Sequence, residues 1–136
     1  RQAMQNELQK AIYQILDASL PLQSIVAGRI FDEVPQGEHF PYIVIGDDDL
    51  KPWDLDCKLG FEALITIHAF SRYKGRKEAK EIGAKIYDLL HNASIVTDNF
   101  TSAVCVLDMQ TTMVEGDGVT RHLVARFRAD FLKTGV

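Results

Sequence analysis

The sequence predicts an α+β fold, with a mostly antiparallel sheet of about four strands and an N-terminal helix and a long central helix packed on it. Three observations carry this expectation. Runs at Tyr42–Asp47 and Phe61–Arg72, and two β-rich runs on either side of Asp117-Gly118, have the composition and period of strands. Apolar residues recur at helical spacing from Leu8 to Leu16 and again from Ala79 to Leu90. Finally, the strands do not alternate regularly with helices, as a parallel sheet would require.

Taken in order, Leu8, Ala11, Ile12, Ile15 and Leu16 form the apolar stripe of a first helix, with Gln9, Lys10, Gln14 and Asp17 opposite. Pro21 ends that helix and is suited to open a short second one, whose Ile25 and Val26 turn inward before Gly28 stops it. Arg29–Glu33 is a short candidate strand, and Tyr42–Asp47, entered from Pro41, is a firmer one.

Phe61–Arg72 alternates Phe61, Ala63, Ile65, Ile67 and Ala69 on one face with Glu62, Leu64, Thr66, His68 and Phe70 on the other. Both faces are partly apolar, so the second face is expected to be covered by a helix or by a neighbouring chain. After a turn at Tyr73-Lys74-Gly75, a helix over about Arg76–His91 buries Ala79, Ile82, Gly83, Ile86, Leu89 and Leu90. Gly83 costs such a helix about 1 kcal/mol relative to Ala, which close approach to the sheet would explain. Val104–Val114 and Val119–Leu132 then form a hairpin, with Val119, Leu123, Ala125, Phe127, Ala129 and Phe131 on one face. Asp48–Gly60 reads as the one long irregular stretch, a kind of loop that tends to be functional or mobile.

Bulk properties narrow the function. With 136 residues, 46% hydrophobic and 25% charged, the chain is read as one domain over residues 1–136, able to bury a core without disulfide or metal. No apolar run reaches the ~20 residues that cross a bilayer, so no membrane role is expected. The start Arg1-Gln2-Ala3-Met4 has no apolar signal core, and Met4 is compatible with an initiator behind a short scar. Cys57 and Cys105 have neither metal nor redox spacing, which fits a reducing, cytosolic origin. A net charge of −4 argues against nucleic-acid binding as the main role.

No catalytic constellation is visible. The chain lacks a Gly-x-Ser-x-Gly elbow, a phosphate-binding Gly-rich loop and a His-Glu-x-x-His helix. His39, His68, His91 and His122 have no ligand spacing and read as strand-face or helix-end residues, with His91 complementing a helix C-terminus. No catalytic residue, cofactor or metal ligand is therefore assigned.

Two charged segments remain. Asp47, Asp48, Asp49, Asp54 and Asp56 surround Trp53, the only tryptophan. They lack EF-hand spacing, and a solvated acidic loop is the plain reading. A small-ligand or cation site is one alternative. Another is a subunit contact in which Trp53 is the apolar anchor, unless Trp53 folds back on its own core. Arg72, Lys74, Arg76, Lys77 and Lys80 form a basic cluster interleaved with Glu78 and Glu81. It is a solvated face by default, or the partner of the acidic segment of a neighbouring subunit.

Three segments, in order, resemble one known family. They are Gly28-Arg29-Ile30-Phe31-Asp32-Glu33-Val34-Pro35-Gln36-Gly37 with Pro41-Tyr42-Ile43-Val44-Ile45-Gly46; the run His68–Ala93; and Gly116-Asp117-Gly118-Val119-Thr120-Arg121-His122 with Ala125-Arg126-Phe127-Arg128-Ala129. Together they resemble siphophage and prophage tail completion proteins, also called tail terminator or tail-to-head joining proteins and found in gene transfer agents. Arg72, Gly75, Arg76, Glu78, Ala79, Arg121, His122, Phe127 and Arg128 match as motif positions, while Asp48–Gly60 matches less well.

The resemblance implies a structural virion protein and not an enzyme. It implies a homo-oligomeric ring, commonly a hexamer, made in the bacterial cytoplasm and placed in the virion tail. Such a ring caps the tail tube, stops its polymerisation and meets the head connector or stopper, and DNA passes through its channel without sequence-specific binding. A head-completion adaptor is the neighbouring alternative.

Overall fold

The computed structural model describes residues 2–54 and 58–134. Its elements are helix α1 (Gln2–Asp17), helix α2 (Leu20–Val26), strand β1 (Ile30–Phe31), strand β2 (Tyr42–Pro52), strand β3 (Gly60–Ser71), helix α3 (Lys77–Leu90), strand β4 (Phe100–Val114) and strand β5 (Arg121–Lys133). The strands form a five-stranded sheet in the order β1-β2-β3-β5-β4.

The α+β class, the N-terminal helix and the long central helix agree with the sequence reading, and the sheet adds detail to it. Three of the four strand pairings are antiparallel, but β1 runs parallel to β2, pairing Ile30 with Ile43 and Phe31 with Val44. The sheet is therefore mixed and has five strands instead of four. The two-residue β1 is too short for periodicity to reveal its direction. A short α2 also intervenes, as Pro21 foretold, with the Ser19 hydroxyl accepting from the Leu22 N–H at its start.

One core lies between the helices and one face of the sheet. Met4, Leu8, Ile12 and Leu16 of α1 and Ala79, Ile82, Ile86 and Leu90 of α3 are buried there. The sheet contributes Ala63, Ile65, Ile67 and Ala69 from β3 and Leu123, Ala125, Phe127, Ala129 and Phe131 from β5. α1 packs on β2, whereas α3 packs on β3, β5 and β4. A Cβ built on Gly83 would lie 2.5 Å from Leu123 Cδ1 and 2.8 Å from Gln110 Nε2. The helix thus approaches the sheet so closely that any larger residue would have to displace the Leu123 and Gln110 side chains, and this close packing offsets the poor helix propensity of glycine.

The opposite face of β3 carries Leu64, His68 and Phe70, each half-buried, and no helix of the described residues lies over it. The expectation of a covering helix is therefore not met within the chain. Val119, placed on the buried hairpin face by periodicity, sits in the turn and is 48% exposed. Asp117 shapes that turn by accepting from the backbone N–H groups of Val119 and Thr120 and from the Thr120 hydroxyl.

The largest correction concerns Asp48–Gly60. Residues 48–52 are not loop; they continue β2, pairing Asp48 with Ile65 and Lys51 with Glu62. The alternation was hidden because the register shifts between Ile45 and Asp48 and because Gly and Asp are poor strand formers. Charged residues are nonetheless suited to a sheet edge, where they deter unwanted pairing.

Candidate assembly surfaces

Asp47, Asp48 and Asp49 lie within β2, with their side chains divided between its two faces. Asp48 pairs with core-facing Ile65 and so points to the helix side, where Gln5 of α1 donates from Nε2 to its Oδ1 at 3.3 Å. Asp49 pairs with Leu64 on the helix-free side, and Asp47 and Asp49 are exposed. Burial, and the neighbouring Asp49 and Asp47, push the Asp48 carboxyl up despite the bond from Gln5. Carboxylates that diverge in this way do not make a cation cage, and among the described residues no group of three or more His, Cys, Asp or Glu could hold a metal.

Trp53 follows β2 directly and is 39% exposed. Asp54 is engaged inside the chain, its Oδ1 accepting from the Gly60 N–H at 3.0 Å. Asp56 lies outside the described residues, as does Cys57. Cys105 is buried, which pushes its thiol up to about 12.

The basic residues divide as well. Arg72 is held within the chain: its guanidinium lies 4.4 Å from the Phe40 ring centroid, its Nε donates to Thr120 Oγ1 at 3.0 Å, and Asp117 sits 3.6 Å away. Lys74 is exposed in the turn before α3. Lys77, the first residue of α3, lines a groove with Ser24, Ile25 and Tyr73. Arg76 and Lys80 line a different cleft, against Gln110, Thr111 and Thr112 of β4. None of Asp47, Asp48, Asp49, Arg76 and Lys80 has an ion-pair partner among the described residues.

The acidic stretch of β2 and the Arg76–Lys80 cleft beside β4 lie towards opposite edges of the sheet, with β3 and β5 between β2 and β4. They cannot meet within one chain.

The helix-free face carries a second feature that the sequence did not reveal. Tyr42 packs on Phe40 and on Phe70 with centroids 5.0 and 5.3 Å apart, and Phe70 stacks on His122 at 4.3 Å. His68 Nδ1 and His122 Nε2 are 2.7 Å apart, and Glu115 Oε1 is 3.2 Å from His122 Nδ1. Burial, and then the neighbouring His122, hold the His68 imidazole below its ordinary range. The pairing depends on strands 54 residues apart in sequence, so no spacing rule exposes it. His91 also differs from its expected role. Its Nδ1 accepts from the Leu107 N–H at 3.0 Å, so it ties α3 to β4 as an acceptor.

The profile of the family described as tail completion protein gp17 matches residues 10–131. Tail completion protein gp17 of Bacillus phage SPP1 is 26% identical over 121 residues, covering 89% of this chain and 89% of that protein. A chain in the virion of a native gene transfer agent particle superposes with a TM-score of 0.88 at 24% identity, covering 96% of this chain and 98% of that chain. At that identity the likeness establishes a shared fold.

Proposed function

The chain belongs to the tail completion protein gp17 family and is a structural protein of a phage-type virion tail, and from that premise we propose that its copies close into a ring that ends the tail tube. The ring, of six copies, sits on the last layer of tube protein, prevents further addition and offers its other side to the head connector or stopper. It assembles from subunits in the bacterial cytoplasm. DNA crosses its channel without sequence readout, in keeping with the net charge of −4.

One observation above all supports the ring. Acidic and basic groups without an ion-pair partner among the described residues lie towards opposite edges of one sheet, where they are unable to neutralise each other. A contact between two different patches of identical subunits is heterologous, and it yields a ring when the rotation closes. A closed ring presents one face to the tube and a different face to the head, which is what a terminating cap requires.

The test has two parts. Light scattering on the purified protein should give the mass of a ring. Added to polymerising tube protein, that ring should bind tube ends and shorten the mean tube length. A protein that remains monomeric at every concentration and leaves tube length unchanged would sink the proposal.

A further inference from the structure

Two stretches of strand edge in this sheet have no partner among the described residues. On β2, strand β1 covers only Ile43 and Val44, so the outer edge is bare from Ile45 to Pro52. On β4, the 92–97 segment covers the outer edge through the Ala93–Cys105 and Val96–Thr101 bridges, and His91 takes the Leu107 N–H. From Asp108 to Val114 that edge is bare. Exposed rows of backbone N–H and C=O groups are templates for another strand, and a long edge with few charges is the most inviting. Asp108 is the only charged residue between Val104 and Val114.

We infer that the bare edge of β4 pairs antiparallel with the bare edge of β2 in the next copy, joining the subunit sheets into one continuous band around the ring. This rests on the ring reading above and adds the atoms that make the joint. The direction follows from the topology: β2–β3, β3–β5 and β5–β4 are all antiparallel, so β4 runs opposite to β2. Copies related by rotation about a ring axis that runs along the strands keep that relation at the joint, giving the more stable kind of ladder.

Charge complementarity names the second copy as the occupant. The β2 edge brings Asp47, Asp48 and Asp49, and the β4 edge is flanked by Arg76 and Lys80. Both Asp48 and the Arg76–Lys80 cleft are on the helix side of their sheets, so joined sheets would place them together. The bare stretches are offset along the strands, at the Pro52 end of β2 and the Val114 end of β4. Joining them requires a stagger from one subunit to the next, and such a stagger is what lets a sheet curl closed.

Disulfide trapping tests the joint. In a Cys57→Ser background, with Cys105 buried and silent, Asp49→Cys is combined in turn with Met109→Cys, Thr111→Cys and Met113→Cys. These positions share the helix-free face, and scanning them allows for register. The expected result is a ladder of covalent multimers up to full ring size for one combination after mild oxidation. A ring of full mass with no ladder from any combination overturns the edge joint and leaves the ring reading standing. A background protein that stays monomeric overturns both.

Charge reversal supplies a second arm. Asp48→Lys and Lys80→Glu should each raise the concentration needed for half-assembly by about ten-fold or more, and the double variant should recover most of that loss. Independent, additive losses in the double variant would remove the pairing.

Discussion

His68 and His122 meet across β3 and β5 with Nδ1 and Nε2 2.7 Å apart, so one ring must donate and the other accept. Phe70 stacks on His122, and a Cβ on Gly46 would lie 2.7 Å from the His68 ring, so the imidazoles are confined on the helix-free face. Double protonation would destroy the hydrogen bond and place two cations side by side.

The pH dependence follows from this pair. The folded His68 titrates below the ordinary histidine value of 6.5, chiefly through burial and then through His122. Between the folded value and 6.5 the unfolded chain therefore binds more protons, and stability falls as pH drops through that window. The melting temperature should decline from pH 7.5 towards pH 5, and His68→Leu should flatten that decline. Equal acid losses in both proteins would show that the pair does not govern this range.

Gly83 offers a substitution in which local and tertiary effects oppose each other. On propensity alone, Gly83→Ala should stabilise α3 by about 1 kcal/mol. The added methyl would meet buried Leu123 Cδ1 at 2.5 Å, so overpacking should prevail, with a net loss of about 1–3 kcal/mol in urea unfolding. A more stable Gly83→Ala protein would mean that Leu123 and Gln110 yield without cost.

What was legible in the sequence followed from local physics. The α1 and α3 stripes, the Pro21 helix start, the β3 alternation and the Asp117-Gly118 hairpin are fixed by neighbours a few residues apart. The meaning of Gly83 was also readable, because a costly residue in a good helix implies a close approach. Strand order was not readable, and it decides the candidate site. The separation of Asp48 from Lys80, the bare edges and the His68–His122 contact all depend on β5 inserting between β3 and β4. Asp54 and Arg72 looked available in the sequence because their partners, the Gly60 N–H, Thr120 and Phe40, are set by the folded chain.

β3 is central, flanked by β2 and β5, and Ile67 is wholly buried under the helices. Ile67→Asp should abolish soluble folding, because an unpaired carboxylate there has no route to water. Expression, solubility and far-UV circular dichroism would report it. A soluble variant with a cooperative melt would mean that the helices do not seal this face.

The last prediction concerns Trp53 and the division of labour at the subunit contact. Trp53 is 39% exposed, and its backbone N–H is already bonded to the Gly60 carbonyl, so its backbone is held whether or not the indole is present. It stands at the end of the bare β2 edge, beyond the acidic residues, as the apolar group best placed to be desolvated by a neighbouring copy. Exposed charge pairs contribute only ~0–1 kcal/mol each and are screened by salt, so they should set register more than strength. Trp53→Ala is therefore expected to move the ring towards monomer at equal concentration, by ~2 kcal/mol per contact, with the monomer's melting temperature unchanged. Raising sodium chloride from ~0.1 to ~1 M, which shortens the screening length about three-fold, should weaken the wild-type ring only modestly. If Trp53→Ala lowers the monomer's melting temperature and leaves the ring mass intact, the indole belongs to the subunit's own core and the contact must be anchored elsewhere.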